Sequence, residues 1–142
     1  MNNFTIFLIL LSLVFTAACV QRYKKPGHLV SEVTVENSSG IYLTDATVIT
    51  RDRAETFGVV SKGASATMGF LEMKVSDVKI QWGENDDYLT FFYASFDVSD
   101  LLNIENINKL KFVYVGDKKW KLQAINRLEG VETVLHEIDS VF

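Results

Sequence analysis

From Ser31 onward the chain alternates between apolar and polar positions. Val33 and Val35 are interleaved with Glu32, Thr34 and Glu36, the period of a half-buried strand. Asn37-Ser38-Ser39-Gly40 is a turn cluster, and Ala46 to Thr50 is a second strand rich in β-branched residues. Arg51-Asp52-Arg53 is a charged break. Thr56 to Val60 and Ser65 to Leu71 flank Lys62-Gly63 and predict a hairpin. Val78, Ile80 and Trp82 then alternate with Asp77, Lys79 and Gln81, which makes Trp82 a core anchor. After the polar turn Gly83 to Asp87, Tyr88 to Val98 is the most apolar stretch of this region. Leu89, Phe91 and Tyr93 face one way and Phe92, Ala94, Phe96 and Val98 the other. That pattern predicts a central strand covered on both sides, or a strand with one face left for a partner. Ser99 to Asn108 is a connector with a short helical turn. Leu110 to Val115 and Lys119 to Ile125 form a hairpin across Gly116-Asp117, a two-residue primed-turn signal.

The tail changes period. Val131, Val134, Leu135, Ile138 and Phe142 fall at helical spacing after Gly130, which predicts a short C-terminal helix docked on the sandwich or on a partner. Seven or eight short strands with frequent turns predict an all-β, Ig-like antiparallel β-sandwich, with a barrel as the alternative. "Ig-like" concerns layering only, because the chain has one cysteine and no disulfide pair.

At 142 residues the chain is one domain long, and 48% hydrophobic content supports a real core. The net charge of −4, without a basic stripe, speaks against nucleic acid as a partner. His28, His136 and the single cysteine form no zinc-ligand pattern. No cofactor motif is present.

Phe4 to Ala18 carries no charge and is short for a spanning helix. Small residues, Ala17 and Ala18, precede Cys19. The stretch Phe15-Thr16-Ala17-Ala18-Cys19 resembles the lipobox of bacterial prolipoproteins, although Leu is usual where Thr16 stands. The resemblance implies a signal peptide over residues 1–18, cleavage between Ala18 and Cys19, and a diacylglycerol on the Cys19 thiol. It implies an envelope location, lipid-anchored in the membrane. Val20 stands where an aspartate favours inner-membrane retention, so the outer membrane is implied in a diderm cell. Residues 19–29 form the lipidated tether, with Lys-Lys-Pro-Gly unable to continue a helix. Residues 30–142 form the globular domain. The leader MNN has no Lys or Arg, whereas Arg22, Lys24 and Lys25 follow the apolar run. The positive-inside rule therefore leaves an uncleaved or reversed anchor open, with ordinary secretion as the remaining alternative.

Candidate chemistry in the domain is sparse. Glu84, Asp86 and Asp87 would suit a calcium ion, but a solvated turn is the simpler reading. Glu132 and His136, four apart on the expected helix, would share a face and could serve acid–base work, yet no nucleophile motif accompanies them. Asn37-Ser38-Ser39 matches a glycosylation acceptor and reads better as a turn. Lys109, Lys111, Lys118, Lys119 and Lys121 gather positive charge on the last hairpin, either a charged outer face or a contact for an acidic partner. The partner-binding candidates are Tyr88, Phe92, Tyr93, Asp86 and Asp87, since aromatic residues are enriched at interfaces. The expectation is a non-catalytic envelope lipoprotein, held to the membrane through lipid on Cys19 and binding another envelope protein. The alternatives are a periplasmic inhibitor or immunity-type protein, whose Gly83 to Asp87 loop blocks an enzyme, and a hydrolase with an unrecognised site.

Overall fold

The computed structural model of the chain describes residues 28–75 and 77–141. The expected signal-peptide helix, Ala18, Cys19 and most of the tether lie outside them. The described residues form strands β1 (His28–Asn37), β2 (Leu43–Thr50), β3 (Ala54–Thr56), β4 (Ser65–Val75), β5 (Val78–Glu84), β6 (Phe92–Phe96), β7 (Lys109–Gly116), β8 (Lys119–Leu128) and β9 (Val131–Asp139). A 3-10 turn, Ser99–Asn103, lies in the connector between β6 and β7. One sheet has the order β4-β1-β7-β8-β9 and the other β3-β2-β5-β6. The protein is an all-β sandwich.

The core is the alternation made physical. Val33, Val35, Leu110, Phe112, Tyr114, Trp120, Leu122 and Ala124 point inward from the larger sheet. They meet Leu43, Val48, Val78, Ile80, Trp82, Ala94 and Phe96 of the smaller one. Trp82 is fully buried, as expected of an anchor. It contacts Trp120 edge-on at 5.3 Å and Tyr114 at 5.8 Å between ring centroids, distances that favour aromatic pairing.

Several expectations need correction. The C-terminal helix is strand β9, paired antiparallel with β8. The reason is a register shift between Ala124 and Ile125. Ala124 pairs with His136 and Ile125 with Val134, so Leu135 is the extra residue of a bulge. The bulge turns a period of two into intervals of three and four that imitate a helix. Thr56 to Val60 forms no hairpin with Ser65 to Leu71; β4 pairs with β1 instead. Tyr88 to Val98 is neither one long strand nor a central one. Its strand is β6 alone, at the edge of the smaller sheet, with Phe92, Ala94 and Phe96 inward. The sandwich is not wholly antiparallel, because β1 and β7 run parallel from Glu32↔Lys109 to Asn37↔Tyr114.

The free side of β6 is partly closed by the C-terminus. Ser95 and Val141 exchange two backbone hydrogen bonds of 3.0 and 2.8 Å. Ser140 donates its amide to the Trp120 carbonyl and accepts the Trp120 amide through its hydroxyl. The tail thereby ties the two sheets together. Among the described residues no helix is long and apolar enough to cross a membrane.

Candidate functional site

Three connections meet at the end of the sandwich where β1 and β7 finish: residues 38–42, the long loop from Asn85 to Phe91, and the turn at Gly116 to Lys118. Their common floor is the aromatic cluster of Trp82, Tyr114 and Trp120. The long loop is fixed at its root by Glu84. One carboxylate oxygen accepts the Trp82 indole N–H at 3.2 Å and the Tyr114 hydroxyl at 2.5 Å. The same hydroxyl accepts the Lys118 amide at 3.1 Å, which joins the loop to the β7–β8 turn. Burial, and then the neighbouring Glu84 carboxylate, push the Tyr114 phenol up to about 12. Tyr114 therefore stays protonated at neutral pH and acts as a donor, not as a base. Gly83 must be glycine, because a Cβ there would lie 2.4 Å from the Thr44 hydroxyl.

The rest of the loop folds on itself. The Asn85 amide donates to the Tyr42 carbonyl at 2.8 Å. The Asp87 carboxylate accepts the amides of Leu89 at 3.0 Å and Thr90 at 3.2 Å, the local turn that aspartate favours. Hydrogen bonds from the Thr90 hydroxyl and the Leu89 amide hold the Asp87 carboxyl below the usual range. Apolar side chains are left outside this framework. Leu89 is 93% exposed, Tyr88 60% and Tyr93 57%. Phe91 is also exposed, and Phe92 is half-buried against Trp82, with the Lys118 ammonium 4.2 Å from its ring centroid. Beside the loop lies a shallow depression of about 500 Å³ that includes Ser39, Ile41, Glu84, Tyr114, Asp117 and Lys118.

All five partner-binding candidates thus come together on one loop and its following strand, in different roles. Tyr88 and Tyr93 present surface, Asp86 is exposed, Asp87 shapes the loop, and Phe92 is its hinge onto the core. The sequence offered Leu89 and Phe91, with Tyr93, as a strand face that a partner could cover; they are exposed, but Leu89 and Phe91 lie on the loop before β6 and not on a strand. The available signal was Asp87 two positions before Leu89, a turn-forming spacing. Sequence reasoning missed the contact between Glu84 and Tyr114, which are far apart in sequence and carry no local signature.

The other candidates fall elsewhere. Asn37 is fully buried. Its amide donates to the carbonyls of Ile41 and Val60, and its oxygen accepts from the amide and hydroxyl of Ser39. A side chain so engaged is a structural hub and not a glycan acceptor in the folded protein. His136 does not face Glu132; on β9 it lies 3.9 Å from Asp100 of the 3-10 turn. Glu132 instead binds Lys109 at 2.6 Å. Lys109, Lys111 and Lys121 are paired with Glu32, Glu36, Glu132 and Glu137 on the outer face of the larger sheet. Those three lysines are not a free basic patch. Among the described residues no three His, Cys, Asp or Glu side chains converge as a metal site, and the carboxylates of Glu84 and Asp87 are engaged in separate hydrogen bonds.

The fold and this loop surface define a class, a β-sandwich with a rigid base and an aromatic loop at one end. No protein-family model matches the chain, and neither does any curated protein or solved structure.

Proposed function

We propose that this chain is a lipid-anchored, non-catalytic binding module of the bacterial envelope, cleaved and acylated at Cys19 and held at the outer membrane. Its recognition surface is the loop from Asp86 to Phe91 with Tyr93, and its partner is another envelope protein. The observation that supports recognition is the exposure of Tyr88, Leu89 and Tyr93 on a loop whose root is fixed by Glu84, Tyr114 and Asp87. Aromatic side chains on a preorganised loop lose little entropy on binding, which is how compact interfaces gain affinity. The lipobox resemblance at residues 15–19 supports the anchor. Anchoring raises the effective concentration of a binder near a membrane-confined partner.

Leu89→Asp and Tyr93→Ala leave the core untouched and should each abolish or strongly weaken partner capture by the anchored protein. Full capture by the double variant, with unchanged thermal unfolding, would refute the loop as the recognition surface. The preordered loop also favours a second reading, insertion into an enzyme's cleft as an inhibitor. Asp86→Lys is the sharper probe of that reading, since Asp87→Lys would also unfold the turn that Asp87 builds. Loss of enzyme inhibition on Asp86→Lys supports the inhibitor.

A further inference from the structure

The opposite end of the sandwich carries a second, separate surface. Glu32 of β1 is level with Lys109 of β7, which is level with Ile125 of β8. From that level β1 runs back toward His28, and β8 runs forward past Arg127 to Leu128, in the same direction. Arg127 bridges to Glu32 at 3.0 Å, and its amide and carbonyl are both held by the Asn108 side chain. The entry of the chain into the fold and the tip of the β8–β9 hairpin therefore lie at one end, two strand spacings apart, roughly 10 Å.

The hairpin overhangs the core at this end. Past the bulge, Asn126, Leu128, Val131, Thr133 and Leu135 line a shallow groove of about 250 Å³. Leu128 is 66% and Val131 67% exposed, and they pair across the turn. Val134, on the other face, is half exposed. Leu128 and Val131 together give the tip an apolar surface suited to contact with another apolar phase.

We infer that this phase is the lipid bilayer, and that the β8–β9 tip is a second membrane contact beside the lipidated tether. The inference rests on the anchoring at Cys19 proposed above. Cys19 is only nine residues from His28, a reach of at most about 30 Å. A domain so tethered keeps its His28 end within that reach of the membrane, where Leu128 and Val131 at the same end can meet the interface. The tether's Arg22, Lys24 and Lys25 add attraction to anionic headgroups, and Glu129 at the turn stays at headgroup level. A lipid chain and an apolar patch together make a stable two-signal attachment. The domain then stands on end. The aromatic loop is held away from the membrane by the length of β1, about 30 Å.

The test uses the full-length lipidated protein in phosphatidylethanolamine–phosphatidylglycerol vesicles. Cys19 is the only cysteine and would be acylated, so Val131→Cys and Leu89→Cys each offer one labelling site. Nitroxide-bearing lipids should quench a fluorophore at residue 131 several-fold more than one at residue 89. Leu128→Asp should reduce quenching of the 131 label toward the level at 89, with the near-ultraviolet circular dichroism of Trp82 and Trp120 unchanged. Intact mass of the N-terminus is read on the same sample. An acylated Cys19 with equal quenching at both sites overturns the membrane-facing tip and leaves the anchor standing. An unacylated N-terminus overturns both.

Discussion

At the scale of single residues, three side chains test the structure most sharply. Asn37 uses both amide protons and its oxygen to join three segments. Asn37→Ala removes the side-chain donor to the part-buried Ile41 carbonyl and one of the two donors to the Val60 carbonyl, which keeps the Leu43 amide, and each unmade bond of this kind costs about 1–3 kcal/mol. Urea unfolding should show a loss of about 2–4 kcal/mol, and glycosylating conditions should leave the folded protein unmodified. Thr44 behaves in the opposite sense. Its hydroxyl is buried with no hydrogen-bond partner among the described residues. Thr44→Val keeps the shape and removes that desolvation cost, so the urea midpoint should rise by an amount equivalent to about 1 kcal/mol; a fall would mean that the hydroxyl has a partner. Tyr114 supplies a spectroscopic handle. Its folded pKa is raised to about 12, so its contribution is complete below the ordinary tyrosine value near 10 and is lost as pH rises through the folded value. Ultraviolet titration should show one late tyrosine step that Tyr114→Phe removes.

At the scale of elements, the outer face of the larger sheet is held by charge. Lys109, nearly buried, takes Glu32 at 2.7 Å and Glu132 at 2.6 Å. Burial lowers the Lys109 pKa, and its bonds to Glu132 and Glu32 more than offset that, so the net direction is upward. The Lys109 hydrogen bond holds Glu132 below the usual carboxylate range, and Gln123 and Lys121 do the same for Glu137. The carboxylates stabilise the fold above their unfolded pKa values and lose that contribution as pH falls through the lower folded ones. Lys109 stabilises it below about 10.4 and loses that contribution as pH rises through its raised value. Thermal midpoints should therefore be flat near neutrality and fall at both extremes, and Glu132→Gln should flatten the acid side. The element most misread from sequence, β9, shows what local pattern lacks. Ile138 packs on the core, Val131 lies on the same side of β9 but exposed beyond the end of the core, and Val134 lies on the other side, with the extra Leu135 between them supplying the helical spacing. Only the pairing with β8 reveals it. β5 and the first part of β8 were legible because each alternates and buries one face on a single core, whereas β7 buries Lys109 and Val113 on its other face as well.

At the scale of the whole molecule, the two-layer architecture was legible from turn spacing and alternation, but the parallel β1–β7 pair was not, since partner choice across the sheet is non-local. The loop candidates Tyr88, Tyr93, Asp86 and Asp87 were found as residue types suited to recognition. The edge position of β6 and the Glu84–Tyr114 brace beneath them were not, because both depend on contacts distant in sequence. The proposed function uses two ends of the sandwich, the chain entry with the β8–β9 tip and the aromatic loop about 30 Å away along the strands.

The most direct measurement is site-specific photo-crosslinking from the anchored protein in cells. A photoreactive residue in place of Leu89 is predicted to give a discrete protein adduct that disappears with Tyr93→Ala. One in place of Thr47, on the outer face of the smaller sheet, is predicted to give none. A discrete adduct from position 47 with none from position 89 would contradict recognition through the loop.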